Sequence, residues 1–313
     1  MRSGHRQPNA SAGPVRSTSA RWTAGDIPDQ TGRIAVVTGG NTGLGFETAA
    51  ALAHHGASVV LACRDTAKAD LAAQRIGGAT SCVRLDLASL ASVRDAAAQL
   101  RSRISRIDLL VNNAGVMMKR EQRTEDGFEL QFGTNYLGHF ALTGLLLGLM
   151  TKTPGSRVVT VSSPVYVRGR YPQRERFSPM GAYSDTKLAN LLFALELQRR
   201  LAGAGAGAET ISLAAHPGYA ETELLRHQPP VMQFASRLGV PLIGQSAAMG
   251  ALPILRALTD PAAQGGEFYR PRWQMRGYPV LATPLPRARD TEAARRIWSE
   301  SEDRTHITYN LSP

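Results

Sequence analysis

The chain has 313 residues, 43 % of them hydrophobic, and a formal net charge of +11. Its length and apolar content suffice for a large folded domain and exclude a wholly disordered chain. Of 36 basic residues only Lys68, Lys119, Lys152 and Lys187 are lysines, and the arginines are scattered instead of forming a basic stripe with interleaved aromatics, which argues against nucleic acid as a partner.

Residues 1–30 are rich in Ser, Arg, Gly and Pro and poor in large apolar residues, so they are expected to form a disordered extension ahead of a single domain over residues 31–309. No secretory apolar segment opens the chain. Cys63 and Cys82 lack the paired spacing of a metal or redox motif, so a reducing, cytoplasmic setting is expected. The apolar run FALTGLLLGLM falls short of the roughly 20 residues of a membrane-spanning helix.

From Gly32 onward, IAVVTG, SVVLACR, SCVRLDL, IDLLVNNAG, RVVTVSS and TISLAAHPG read as six strands, apolar on both faces as parallel strands covered by helices are. Between them lie GLGFETAAALAHH, TAKADLAAQRI, LASVRDAAAQLRSRI, a long segment around FELQFGTNYLGHFALTGLLLGLM, and SDTKLANLLFALELQRRL, all with helical periodicity. The alternation predicts an α/β fold, one doubly wound parallel sheet with helices on both faces. Ligands of such sheets gather at the carboxyl ends of the strands.

TGGNTGLG (38–45) ends the first strand and opens a helix. Gly39, Gly43 and Gly45, with Asn41, Thr42 and Leu44 between them, allow a tight turn and a close backbone approach, and the helix N-terminus offers free N–H groups to a pyrophosphate. No Lys-Ser or Lys-Thr pair closes the loop, which disfavours a nucleoside triphosphatase; an S-adenosylmethionine methyltransferase stays open on this loop alone. Arg64 ends the second strand, where a guanidinium suits a 2′-phosphate, so NADP(H) is preferred and NAD(H) stays possible.

Tyr183 and Lys187 are four residues apart on a predicted helix and therefore share a face. An ammonium beside a phenol favours the phenolate and draws its pKa down, which makes the tyrosine a usable acid and base at a carbonyl or alcohol.

TGGNTGLG, NNAG (112–115), VSS (161–163) and YSDTK (183–187), in this order and spacing, resemble the short-chain dehydrogenase/reductase family over residues 32–309. The resemblance implies a Rossmann-type fold and an oxidoreductase. Tyr183 would be the general acid, Ser163 a donor to the substrate oxygen, Lys187 a ligand of the nicotinamide ribose, and Asn135 the holder of a water in a proton relay. Asp86 and Leu87 would lie near the adenine, Asn112, Ala114 and Gly115 beside the adenosine, and Pro217, Gly218 and Thr222 at the nicotinamide. His216 reads as structural, and no metal-ligand spacing is seen. Transfer of the pro-S hydride is implied as well.

Within the family, ACR (62–64), TNYLGHF (134–140) and YSDTKLANLLFALEL look most similar to the retinol dehydrogenase and protochlorophyllide reductase-like branch, which implies a carbonyl reductase or alcohol dehydrogenase with a hydrophobic small-molecule substrate. Residues 219–245 are expected to form a substrate lid, and Tyr166, Tyr171 and Phe177 are candidate pocket linings in a segment shorter than that branch usually has. The helix around FELQFGTNYLGHFALTGLLLGLM pairs subunits in many members, so a dimer or tetramer is possible. The alternative is a non-enzymatic dinucleotide sensor or scaffold of the same fold, against which the joint presence of Asn135, Ser163, Tyr183 and Lys187 argues.

Overall fold

A computed structural model of the chain describes residues 21–174, 176–204, 209–219 and 244–311. Eight strands form one sheet: β1 (Ile34–Thr38), β2 (Ser58–Cys63), β3 (Thr80–Arg84), β4 (Leu109–Asn112), β5 (Arg157–Val161), β6 (Ile211–Ala215), β7 (Phe268–Pro271) and β8 (Pro279–Ala282). Their order is β3-β2-β1-β4-β5-β6-β7-β8, and every pairing is parallel except the antiparallel β7–β8. The six strands expected from sequence are all present. The chain reverses its direction of winding between β1 and β4, which places a crevice at their carboxyl ends.

Successive side chains of a strand point to opposite faces, and both faces here are covered. In β1, Val36 enters one apolar cluster while Ala35 and Val37 enter the other. Helices α1 (Gly43–His54), α2 (Thr66–Ile76) and α7 (Ala247–Thr259) cover one face; α3 (Leu90–Arg103), α5 (Gly138–Leu146), α6 (Pro179–Gly203) and α8 (Thr291–Thr305) cover the other. The long segment before β5 is not one regular helix. A single turn, α4 (Leu130–Phe132), runs through a π-helical turn at Gly133–Leu137 into α5.

Helix α8 and the following residues lie over α5 and α6. Trp298 stacks on Phe193 at 5.8 Å and meets Phe140 edge-on at 5.1 Å and Tyr309 at 4.5 Å, all within one buried cluster. The aromatic side of α5, in the segment considered from sequence for subunit pairing, is thus covered by the chain's own C-terminal segment, which also packs on α6.

The extension expected over residues 1–30 does not reach Gln30: Trp22 and Ile27 are buried in the apolar cluster on the α1/α7 face, because two large apolar side chains there lose contact with water on joining it. Residues 1–20 lie outside the described residues. Strands β7 and β8 were not anticipated, since FYRP and PVLA are four residues each and carry Pro271 and Pro279, which weaken a strand signal. Of the segment 219–245, only Tyr219, Gly244 and Gln245 are described, so the lid expectation falls outside the described residues.

Candidate active site

The loop after β1 is built for close approach. A Cβ at Gly45 would collide with the Gly39 carbonyl, one at Gly39 would meet Ala114 at 3.0 Å, and Gly43 adopts a positive φ of 54° with open space around it. Helices α2, α3, α6, α7 and α8 are each capped by a side chain, from Asp65, Ser89, Ser178, Ser246 and Asp290 respectively. Thr42, the N-cap of α1, makes no such bond. The first-turn amides of α1 therefore keep their hydrogen-bonding capacity at the positive end of the helix dipole, which is what a bound diphosphate requires. These features fit a dinucleotide. Arg64 is exposed directly after β2, and half-buried Asp86 follows β3, where its carboxylate accepts the Ala88 N–H at 2.9 Å.

Helix α6 carries both Tyr183 and Lys187. Lys187 is 3 % exposed, its Nζ lies 5.5 Å from the centre of the Tyr183 ring, and it donates to the Val161 carbonyl at 3.1 Å. Asn190 donates to the same carbonyl at 3.0 Å, fixing the end of β5 against α6. Ser163 follows β5 and is hydrogen-bonded to the Tyr183 phenol. Ser162 instead donates to the Lys187 carbonyl at 2.8 Å and is buried, which separates the roles of the two serines. Burial pushes the Tyr183 phenol up to about 12, opposed by its bond to Ser163, and brings Lys187 down to about 8. The phenol is thus not drawn towards neutrality as the motif suggests. Burial penalises both charged forms and outweighs their mutual effect.

Asn135 sits in the π-helical turn. Its amide oxygen accepts the Val116 N–H at 2.7 Å and its Nδ2 donates to the Val116 carbonyl at 2.9 Å, which clamps the strand exit beyond β4. A Cβ at Gly115 would lie 3.3 Å from Asn135 Oδ1 and 3.6 Å from Lys187 Nζ, so Gly115 joins the two.

Similarity to known proteins agrees with this geometry. The family model described as short chain dehydrogenase matches residues 33–231. The chain belongs to the short-chain dehydrogenase family. It is 40 % identical to human retinol dehydrogenase 13, with 89 % of this chain and 87 % of that protein covered. It is also 40 % identical to mouse polyprenol dehydrogenase, covering 88 % and 84 %. Among solved structures, an uncharacterized protein from Mycobacterium paratuberculosis superposes with a TM-score of 0.77 at 40 % identity, over 93 % of this chain and 99 % of that one. As a short-chain dehydrogenase of the retinol dehydrogenase-like branch, the chain is an oxidoreductase acting on CH–OH or C=O groups with NAD(P)(H).

Not every expected position faces the crevice. Asn112 is fully buried and donates to Thr143 at 2.9 Å and Thr160 at 3.4 Å, tying β4 to α5 and β5 instead of flanking a cofactor. Its neighbour Asn113, not singled out from sequence, bonds the Thr38 carbonyl through Nδ2 at 2.9 Å. The only signal in the sequence that distinguishes the two asparagines is the alternation of the strand, which turns successive side chains to opposite faces. Pro217 and Gly218 are buried after β6, and Gly218 donates to Nδ1 of His216, which makes His216 a brace for this turn. Tyr219 and Gln245 meet through a 3.0 Å backbone bond, and Gln245 donates to the Pro217 carbonyl at 2.7 Å. Thr222 lies outside the described residues.

Of the three candidate pocket linings, Tyr166 packs edge-on against Phe268 at 5.9 Å and accepts the Leu285 N–H, while the Tyr171 hydroxyl donates to Glu300 at 2.8 Å. Both are structural ties to the C-terminal segment. Phe177 lines a cavity of about 260 Å³ together with Phe128 and the Arg174–Asp185 ion pair. Among the described residues no cluster of metal-ligating side chains occurs and no helix is long and apolar enough to cross a membrane.

Proposed function

We propose that the protein is an NADP(H)-dependent reductase or dehydrogenase that interconverts a carbonyl and an alcohol on a hydrophobic small molecule. One observation carries the reading: Ser163, Tyr183 and Lys187 come together at the carboxyl edge of the sheet, which α1 shares with its uncapped N-terminus. Gly39 to Gly45 would hold the pyrophosphate, Arg64 the 2′-phosphate, Asp86 and Leu87 the adenine, and Ala114 and Gly115 the adenosine side. Pro217, Gly218 and Thr222 would shape the nicotinamide site, and Lys187 would bond the ribose. The cofactor, when bound, supplies or accepts the hydride.

The chain supplies the proton. In reduction, Ser163 and Tyr183 donate hydrogen bonds to the carbonyl oxygen, and Tyr183 passes its proton to that oxygen as negative charge develops there. A phenol held near 12 keeps its proton at neutral pH, as a general acid must. The Lys187 ammonium stabilises the resulting phenolate, and a water on the Asn135 carbonyl returns the proton. Relatives named for retinol and a polyprenol, both apolar alcohols, support the hydrophobic substrate class.

The test is a cofactor-consumption screen with NADPH against aldehydes, ketones and quinones, run beside Tyr183→Phe. The variant should bind NADPH with unchanged affinity and lose at least roughly 100-fold in turnover. Full activity in the variant would remove Tyr183 from the chemistry.

A further inference from the structure

His139 lies outside every role assigned so far, yet it is one of the most buried polar residues, at 1 % exposure, one turn beyond Asn135. Its Nδ1 is 3.0 Å from the Asn135 main-chain carbonyl, and its Nε2 is 2.9 Å from the Thr38 hydroxyl at the end of β1. The Thr38 hydroxyl also receives the Asn113 N–H at 2.9 Å and the Ala114 N–H at 3.0 Å.

The protons of this chain of bonds follow from valence. A carbonyl only accepts, so Nδ1 carries the proton and donates to Asn135. In the neutral ring Nε2 then holds a lone pair, and Thr38 donates to it at 2.9 Å in preference to the Val111 carbonyl, its second acceptor at 3.2 Å. The hydroxyl keeps two lone pairs, which are filled by the two amides. Every donor finds an acceptor in one direction: Asn113 and Ala114 to Thr38, Thr38 to His139, His139 to Asn135. Burial and the nearby Lys187 charge bring His139 down to about 4, so the ring is neutral at working pH and the polarity holds.

We propose that His139 is a positioning residue, a strut of fixed tautomer that sets the Asn135 carbonyl against the turn where β1 and β4 leave the sheet. The proposal rests on the proton relay of the preceding section for its catalytic meaning. Three segments meet in the strut: the start of the phosphate loop, the NNAG exit and the π-helical turn. A shift of Asn135 would therefore be felt both at the relay and at the cofactor turn.

The two halves of the imidazole can be removed separately. In His139→Asn the amide nitrogen takes the place of Nδ1 and keeps the bond to Asn135, but Thr38 loses its 2.9 Å acceptor on the ring and is left with the longer contact to the Val111 carbonyl at 3.2 Å. In His139→Gln the amide oxygen takes the place of Nε2 and accepts from Thr38, but the bond to Asn135 is lost. Asn should hold turnover nearer wild type and weaken NADPH binding; Gln should hold NADPH binding and lower kcat roughly tenfold, the scale of one hydrogen bond. Thr38→Val should weaken NADPH binding about tenfold, and Thr38→Ser should restore it. Identical behaviour of the Asn and Gln variants, or no rescue by serine, would overturn the strut.

Nitrogen-15 histidine NMR on the full chain supplies a readout that needs no turnover. Two rings, His55 with Nδ1 at 2.7 Å from the Ala51 carbonyl and His139, should show the Nδ1–H tautomer, and that of His139 should be unchanged between pH 8 and pH 5 and abolished in His139→Gln. An Nε2–H tautomer at His139 would refute the proposal even if the variants fail to fold. If wild-type protein binds no NADPH while the tautomer is as stated, the functional reading fails and the strut stands as an architectural device.

Discussion

The Lys187 ammonium and the Tyr183 ring are 5.5 Å apart, and the ammonium is directed to the Val161 carbonyl rather than to any carboxylate. A buried cation held by one neutral acceptor is destabilising relative to an apolar side chain. Lowering of Lys187 from 10.5 to about 8 means that the folded state disfavours the protonated form, so stability rises as pH increases from about 8 to 10.5 and the full cost is present at pH 7. Lys187→Met should raise the stability at pH 7 by about 3 kcal/mol at the upper end, while abolishing turnover. Thermal unfolding beside an NADPH oxidation assay checks this; a destabilised variant would show that the charge is better compensated than its burial indicates.

Arg64, exposed directly after β2, carries the proposed preference for NADP(H). Arg64→Asp is expected to weaken NADPH by tenfold or more and to leave NADH near its wild-type affinity, because the new carboxylate repels a 2′-phosphate and accepts from a free hydroxyl. Titration of both nucleotides decides it. Equal losses for the two would take Arg64 out of the adenosine site.

Trp298 anchors the C-terminal helix on Phe140, Phe193 and Tyr309, with the Arg200 guanidinium 4.3 Å from its ring. Trp298→Ala should cost about 3–5 kcal/mol by opening a cavity. Trp298→Phe should cost much less, since the indole N–H is buried without a partner. With this aromatic face covered from within, light scattering should report a single chain; a dimer that dissociates in Trp298→Ala would overturn that expectation.

Two histidines make the fold acid-sensitive before its carboxylates titrate. Burial lowers His139 to about 4 and His216 to about 3, against 6.5 for an unperturbed histidine. Both must stay neutral in the folded state, so their contribution is complete above pH 6.5 and is lost as pH falls. Each should remove about 1.4 kcal/mol per pH unit between pH 6 and pH 5. Urea unfolding at pH 7, 6 and 5 measures the slope, and His216→Asn, which keeps an acceptor for the Gly218 N–H, should make it shallower by one proton. A flat profile would contradict the buried neutral state of both rings.

The sequence by itself determined the six parallel strands, the glycine turn after β1 and the placing of Tyr183 and Lys187 on one helix. Each is written in local pattern: a two-sided apolar run, glycines where a Cβ would clash or the backbone takes a positive φ, and a four-residue helical spacing. It also separated Ser163 from Ser162 through resemblance, which the buried bond of Ser162 to Lys187 explains.

What it did not determine depends on contacts between distant segments. Whether Asn112 or Asn113 faces the crevice depends on strand phase against β1, and the burial of Trp22 and Ile27 depends on the apolar cluster they share with α1 and α7. The directions of the tyrosine and lysine pKa values were decided by tertiary burial, because desolvation is set by all surrounding atoms and not by the motif. The His139–Thr38 bond joins residues 101 apart in the chain, and no local pattern carries that distance.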